Sequence, residues 1–194
     1  MKPANILIAA AALILFSGLL SGCEDTPQSQ ENATKEPVSL KTIEDGRKLI
    51  KDVSIKLTSE KQDKTVTVNV VLDNPNQKPI TSVESWLSYD PKTLKGIEID
   101  VSGSQFELIA PYDNTFDAVN GLVMIGRSNN VPVSGQAINI AKVVFELIGD
   151  NTTMVDIYDY QNDLTGHISA NMMFDGVPYN VLTKPESPAL IIEN

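Results

Sequence analysis

Two residue types able to do chemistry occur once each in this chain: Cys23 is its sole thiol and His167 its sole imidazole. One histidine cannot build a multi-histidine metal site. A Ser-His-Asp arrangement would have to run through His167, yet no G-x-S-x-G elbow is present. Its neighbours Gly166 and Ile168 read as a loop entering a strand, so His167 is expected to be an ordinary polar residue. Asp156, Asp159 and Asp163, with Tyr158 and Tyr160, form an acidic, aromatic patch. Their spacing misses the EF-hand pattern of alternating oxygen ligands with a Gly at the sixth position, so a solvated loop is expected rather than a calcium site. No glycine loop suited to cradling phosphate occurs, and no pair of acids stands out for glycoside hydrolysis. The expectation is a protein with no catalytic residues, no metal and no cofactor.

Cys23 points elsewhere. Lys2 gives a positive start, Ile6 to Leu20 reads ILIAAAALILFSGLL, and Leu20-Ser21-Gly22-Cys23 is followed at once by Glu24 and Asp25. Charge, apolar run and small-residue end are the three parts of a secretory signal. The apolar run is marginal for a membrane span, which needs about 20 residues. The tetrapeptide resembles the lipobox of bacterial lipoproteins, in which the cysteine becomes the lipid-bearing first residue of the mature chain. That resemblance implies a signal peptide over 1–22 and lipidation at Cys23. It further implies membrane attachment on the extracytoplasmic side, at the cell surface or in the periplasm. Two or more acyl chains hold firmly where one holds only marginally. With the thiol consumed, the mature chain has no cysteine for a disulfide, a metal or a nucleophile.

Residues 23–50 carry the lipidated cysteine and then a stretch rich in Glu, Gln, Ser, Thr, Asn and Pro, which cannot bury enough surface to offset its ordering entropy. A flexible tether is expected there, with a short helical turn at Thr42 to Ile50 weakened by Gly46. Residues 51–194 remain as one domain, long enough to bury about two-thirds of its unfolded surface without disulfides. The formal charge of −10 argues against nucleic acid and against adsorption to anionic lipid, leaving membrane binding to the acyl chains.

Past residue 50 the hydrophobic period is two. Val66, Val68, Val70 and Leu72 face one side of Thr65 to Leu72, and Asp73 to Pro79 follows as a loop of turn residues. Further strands are expected at Ser54 to Thr58, Ile80 to Tyr89, Leu94 to Val101, Gln105 to Ile109 and Gly121 to Arg127. Others follow at Ala137 to Ile148, Thr153 to Ile157 and Ala189 to Ile192. Asp175-Gly176 is a hairpin turn signal. The apolar run AINIAKVVFELI could be a helix taken alone, but its β-branched content and surroundings favour a central strand. Many short strands without alternating helices mean an all-β, antiparallel β-sandwich or barrel, with Greek-key or jelly-roll connections.

Three stretches in order resemble the cohesin domain family. They are TVTVNVVLDNP, then ITSVESWLSYDPKTLKGIEID with its Tyr89-Asp90-Pro91-x-x-Leu94 element, then NGLVMIGRS with AINIAKVVFELIG. The similarity covers about residues 51 to 150. Read physically, the Tyr-Asp-Pro element is a structural corner: Tyr89 packs at a strand end, Asp90 accepts bonds from the turn, Pro91 presets its dihedral and Leu94 re-enters the core. The resemblance implies a nine-stranded jelly-roll sandwich whose family role is docking a dockerin module on another protein. One sheet face would serve, with the strand before Tyr-Asp-Pro contributing to it.

On that strand Val83, Ser85, Leu87 and Tyr89 would face inward, and Glu84, Trp86 and Ser88 outward. Trp86, the only tryptophan, is a candidate hot spot. It could equally be a sugar-stacking platform, or satellite core under a loop. Glu84 lies near a position where cohesins often carry an acidic partner contact. Three readings follow: a protein-docking module, a carbohydrate-binding lipoprotein using Trp86 or the Tyr158/Tyr160 patch, or a structural accessory piece of an envelope or pilus assembly.

Overall fold

The computed structural model describes residues 49–109, 113–158, 167–183 and 189–193. Cys23 and the expected signal and tether before residue 49 lie outside the described residues, as do Asp159, Tyr160 and Asp163.

The period-two pattern builds strands, and no helix occurs among the described residues. One layer is a four-stranded antiparallel sheet, made of β1 (Ser54–Gln62), β2 (Thr65–Asp73), β10 (Ala137–Leu147) and β5 (Leu94–Asp100) in the order β1-β2-β10-β5. Val66, Val68, Val70 and Leu72 are fully buried on the inner face of β2, as their alternation requires. The AINIAKVVFELI run is strand β10. Its excess of apolar residues has a local cause: the register shifts between Asn139 and Ala141. This bulge makes Ile140 and Ala141 consecutive buried residues before alternation resumes at Val143, Phe145 and Leu147.

The second layer is broken along its length. One half is β14-β11-β4-β8-β7, from Leu190–Ile192, Thr153–Ile157, Leu87–Tyr89, Leu122–Met124 and Thr115–Asp117. The other is β13-β12-β3-β9-β6, from Val177–Asn180, Ile168–Phe174, Ile80–Ser85, Gly126–Val133 and Leu108–Ile109. The expected strand Ile80 to Tyr89 is therefore two strands, parted at Trp86, and Gly121 to Arg127 is parted at Ile125. Matching halves form five rows, which with the four strands of the first layer give the nine rows of a jelly-roll sandwich. Backbone bonds tie the rows across the break: Trp86 N–H donates to His167 O (3.1 Å), Tyr158 N–H to Trp86 O (2.8 Å) and Ser85 N–H to Ile125 O (2.9 Å). The first described stretch is locked to the last row by a parallel bridge between Val53 and Leu182.

The core is the apolar filling between the layers, with Val83, Leu87, Ile125, Val155 and Ala170 from the broken layer meeting Val68, Leu72, Val143 and Phe145 from the other. The Tyr89 corner is built as its residues dictate. Lys92 N–H donates to Asp90 Oδ1 (2.9 Å), Leu94 N–H donates to Asp90 O (3.0 Å), and Tyr89 packs against Phe116 and Phe145. Gly121, at φ 66°, closes on this corner: a Cβ there would strike the Tyr89 carbonyl oxygen.

One expectation needs correction. Gln105 to Ile109 is a strand only at Leu108–Ile109, because Gln105 bonds across to Asn139 instead. Its Oε1 accepts the Asn139 N–H (2.7 Å) and its own N–H donates to Asn139 O (3.2 Å). The expected Asp175-Gly176 hairpin turn is present, with φ of 49° and 77°; it joins β12, which begins at Ile168 where a loop was expected to enter a strand, to β13, for which no strand was expected.

Candidate functional site

Alternation along β3 and β4 decides which side chains can meet another molecule. Val83, Ser85, Leu87 and Tyr89 are buried on the inner face, while Glu84, Trp86 and Ser88 are half-buried on the outer one. The three outward candidates thus share one face, in line, with Trp86 at the break between the two half-sheets.

Trp86 neither projects freely nor lies in the core. Trp86 bonds through its backbone to both Tyr158 and His167 of the neighbouring row. The side chains follow. The indole stacks on the His167 imidazole with centroids 4.2 Å apart and an interplanar angle of 26°. It lies 6.2 Å from the Tyr158 ring at 27°. Offset stacking of this kind contributes about 0.5–1.5 kcal/mol per pair beyond area burial. His167 is therefore part of an aromatic stack, which its sequence neighbours did not signal.

Around this stack the floor of the face is small and polar. Ser169 of β12 stands opposite Glu84 on one side, and Gly126 of β9 on the other. Ser82 is opposite Ser128, and Asn171 Nδ2–H donates to both Ser82 Oγ and Ser169 Oγ at 3.1 Å. Two exposed apolar residues share the parity of this face at its margins: Leu108 on β6, opposite Ser128, and Met173 on β12, two residues beyond Asn171; Ile109, Val177 and Tyr179 pair with Arg127, Phe174 and Met172 on the other side of the sheet. A polar centre with apolar margins can hold a protein surface in register by hydrogen bonds while its edges exclude water.

Asp113 completes the arrangement. A Cβ on Gly126 would collide with carboxylate oxygens of both Asp113 and Glu84, so only glycine leaves room for the two acids to converge. Burial, and then the Asp113 charge, push the Glu84 carboxyl up to about 7. Burial also raises Asp113, against a hydrogen bond from the Trp86 side chain that lowers it. On the other side of the same strand pair lies Arg127, 3% exposed, whose Nη2–H donates to Phe106 O. Its Nε and Nη1 have no hydrogen-bond partner among the described residues, and desolvation lowers its pKa.

Sequence reasoning placed Glu84, Trp86 and Ser88 on one face but missed Asp113, Gly126, His167 and Arg127. The GRS within NGLVMIGRS offered one usable signal, a glycine inside a strand pattern, which often marks close approach of another group. Asp156 sits on the same face opposite Ser88, and its Oδ1 accepts the Ile157 N–H (2.8 Å). No group of three or more metal-ligating side chains occurs among the described residues.

Among solved structures, the chain is similar to a cohesin from Acetivibrio cellulolyticus in complex with a dockerin. Identity is 12% over 61% of this chain and 85% of that one, with a TM-score of 0.45. It is similar also to a non-cellulosomal cohesin from the archaeon Archaeoglobus fulgidus, at 19% identity over 66% and 83%, TM-score 0.48. A cohesin from Clostridium acetobutylicum matches at 14% over 74% and 91%, TM-score 0.49. No curated protein matches the sequence. The model of the cohesin domain family matches residues 52–170, which hold the long-stranded layer, the central rows of the broken layer up to the start of β12, and Glu84, Trp86 and Asp113, and the chain belongs to the cohesin domain family.

Proposed function

We propose that this protein is a docking module that holds another protein, of dockerin type, against the outer face of β3, β9 and β12, and performs no chemistry of its own. The observation that carries this reading is Trp86 fixed by its neighbours in the middle of a small, polar sheet face. An aromatic side chain already immobilised loses little entropy on binding, which is the property of an interface anchor. Leu108 and Met173 supply apolar contact at the margins of the same face. Sugar stacking is the weaker reading, because a pyranose needs a free aromatic face and the His167 ring covers one face of this indole.

The module is held to the extracytoplasmic face of a membrane by lipid on Cys23. The signal-like run ending at Leu20-Ser21-Gly22-Cys23 supports that placement. The −10 charge also supports it, since an acidic domain is not drawn to anionic lipid by itself.

Titration calorimetry of the protein against purified dockerin modules tests the docking reading. Saturable one-to-one binding is expected, weakened at least tenfold by Trp86→Ala, as for an interface hot spot. Unchanged affinity in that variant would refute the assignment of this face. Intact-mass spectrometry of the membrane-extracted protein should show an acylated Cys23 as the first residue; an unmodified thiol would refute the anchor.

A further inference from the structure

Glu84 and Asp113 are two acids brought together in a place where one of them has poor access to water. Both reach over Gly126, and any side chain at that position would push them apart. Among the described residues, the groups around them offer no compensating cation. Ser169 faces Glu84 from β12, and Ser82 and Trp86 flank it on its own strand. From β9 it meets Gly126, while the only charged neighbour there, Arg127, is turned to the interior. The remaining titratable groups of this face, His167, Tyr158 and Asp156, lie towards and beyond Trp86. No ion pair among the described residues joins a lysine or arginine to either acid. Two carboxylates so placed cannot both ionise without repulsion, and one proton between them removes it.

We propose that Glu84 and Asp113 form a proton-operated latch on this face, in which one shared proton holds Asp113 over Gly126 and within reach of the Trp86 indole N–H. Loss of that proton to solvent leaves two like charges over one glycine. Asp113 is then driven outward, and the indole loses its acceptor. The elevation of both carboxyls, with Glu84 at about 7, places the changeover near neutrality. The latch belongs to the free domain. That it also gates partner exchange rests on the docking reading above: acid pH fixes the anchor and alkaline pH loosens it.

Because Trp86 is the only tryptophan, its emission reports on this site alone. The full chain, extracted in mild detergent, is titrated from pH 5 to 9 as wild type, Glu84→Gln, Asp113→Asn and His167→Asn, with circular dichroism confirming the fold of each. The expected result is a single emission transition near pH 7 in the wild type that is lost in Glu84→Gln and in Asp113→Asn and kept in His167→Asn. A transition that survives both acid variants and vanishes with His167, or no transition at all, would overturn the latch. Dockerin affinity measured alongside should fall about tenfold from pH 5.5 to 8 in the wild type and stay flat in Glu84→Gln, a tenfold change corresponding to coupling of one pKa unit. Flat affinity with the optical transition intact would overturn the gating but not the latch. Absence of binding at both pH values would overturn the docking reading instead.

Discussion

The two layers of this sandwich are built to different rules. The β1-β2-β10-β5 sheet uses strands of nine, nine, eleven and seven residues. The facing layer divides its central rows: six and three residues for β3 and β4, three and eight for β8 and β9, five and seven for β11 and β12. Long strands with strict alternation give a continuous buried face and little else. The broken layer exchanges part of its ladder for a place where side chains from different rows meet. Trp86, Tyr158 and His167 meet there for that reason, and the Glu84–Asp113 pair lies beside them. The lesson is a division of labour, with one layer for stability and one for contact.

The sharpest way to break that comparison is to damage the long-stranded layer. Phe145 of β10 is fully buried and touches both Tyr89 and Phe116. Phe145→Ala should cost about 3–5 kcal/mol in urea unfolding; a loss as small as that of a surface change would mean the layer is not the stabilising one. Trp86→Ala, in the broken layer, should cost only about 1–2 kcal/mol by the same measurement, from partial burial and lost stacking. Equal losses for the two would erase the distinction. Gly176→Ala tests the hairpin at the edge of the broken layer. Forcing a Cβ to φ 77° should lower stability by about 1 kcal/mol, read as a drop in melting temperature.

The carboxyl shifted into the neutral range belongs to the broken layer, whereas Asp100 at the end of β5 is held low by hydrogen bonds from Ser102 and acts only in stronger acid. The Glu84 carboxyl is raised from 4.5 to about 7, so between those values the unfolded chain releases its proton while the native one keeps it. Stability from this group is therefore fully present below about pH 4.5, declines as pH rises and is gone above about 7. Glu84→Gln should remove that part of the slope in melting temperature between pH 5 and 8; an undiminished slope would assign it to other groups. The smallest effect belongs to the exposed Lys95–Glu146 pair on the long-stranded layer, 3.5 Å apart. Lys95→Ala should change unfolding by less than about 0.5 kcal/mol.

Legibility followed the same division. β2 was readable because every second residue is apolar, β10 because its β-branched content and its surroundings outweigh a helical reading, and the Tyr89 corner because Asp-Pro has its own turn chemistry. Of the strand β12, ISANMMF, only the entry at Ile168 could be read, since Ala, Asn and Met carry weak β preference and its burial comes from neighbouring rows. The parting at Trp86 left no local mark either, because ESWLSY alternates straight through it. Glu84, Trp86 and Ser88 could be placed on one face by parity alone. Asp113 and His167 could not, because they are brought to that face only by long-range strand pairing.

Near the front of the domain, Lys78 is almost wholly buried, bonded to the Ile50 carbonyl at 2.6 Å and paired with Asp52 at 2.9 Å. Asn74 braces it by accepting the Lys78 N–H and donating to its carbonyl, both at 2.9 Å. One residue beyond Asp52, Val53 donates to Val181 and accepts from Thr183. A tug on the leading end would thus meet this ammonium grip and a parallel pair loaded sideways before it reached β1. Bonds strained in that direction must fail together rather than one after another, so the domain should resist traction applied before Val53 better than traction applied at a hairpin.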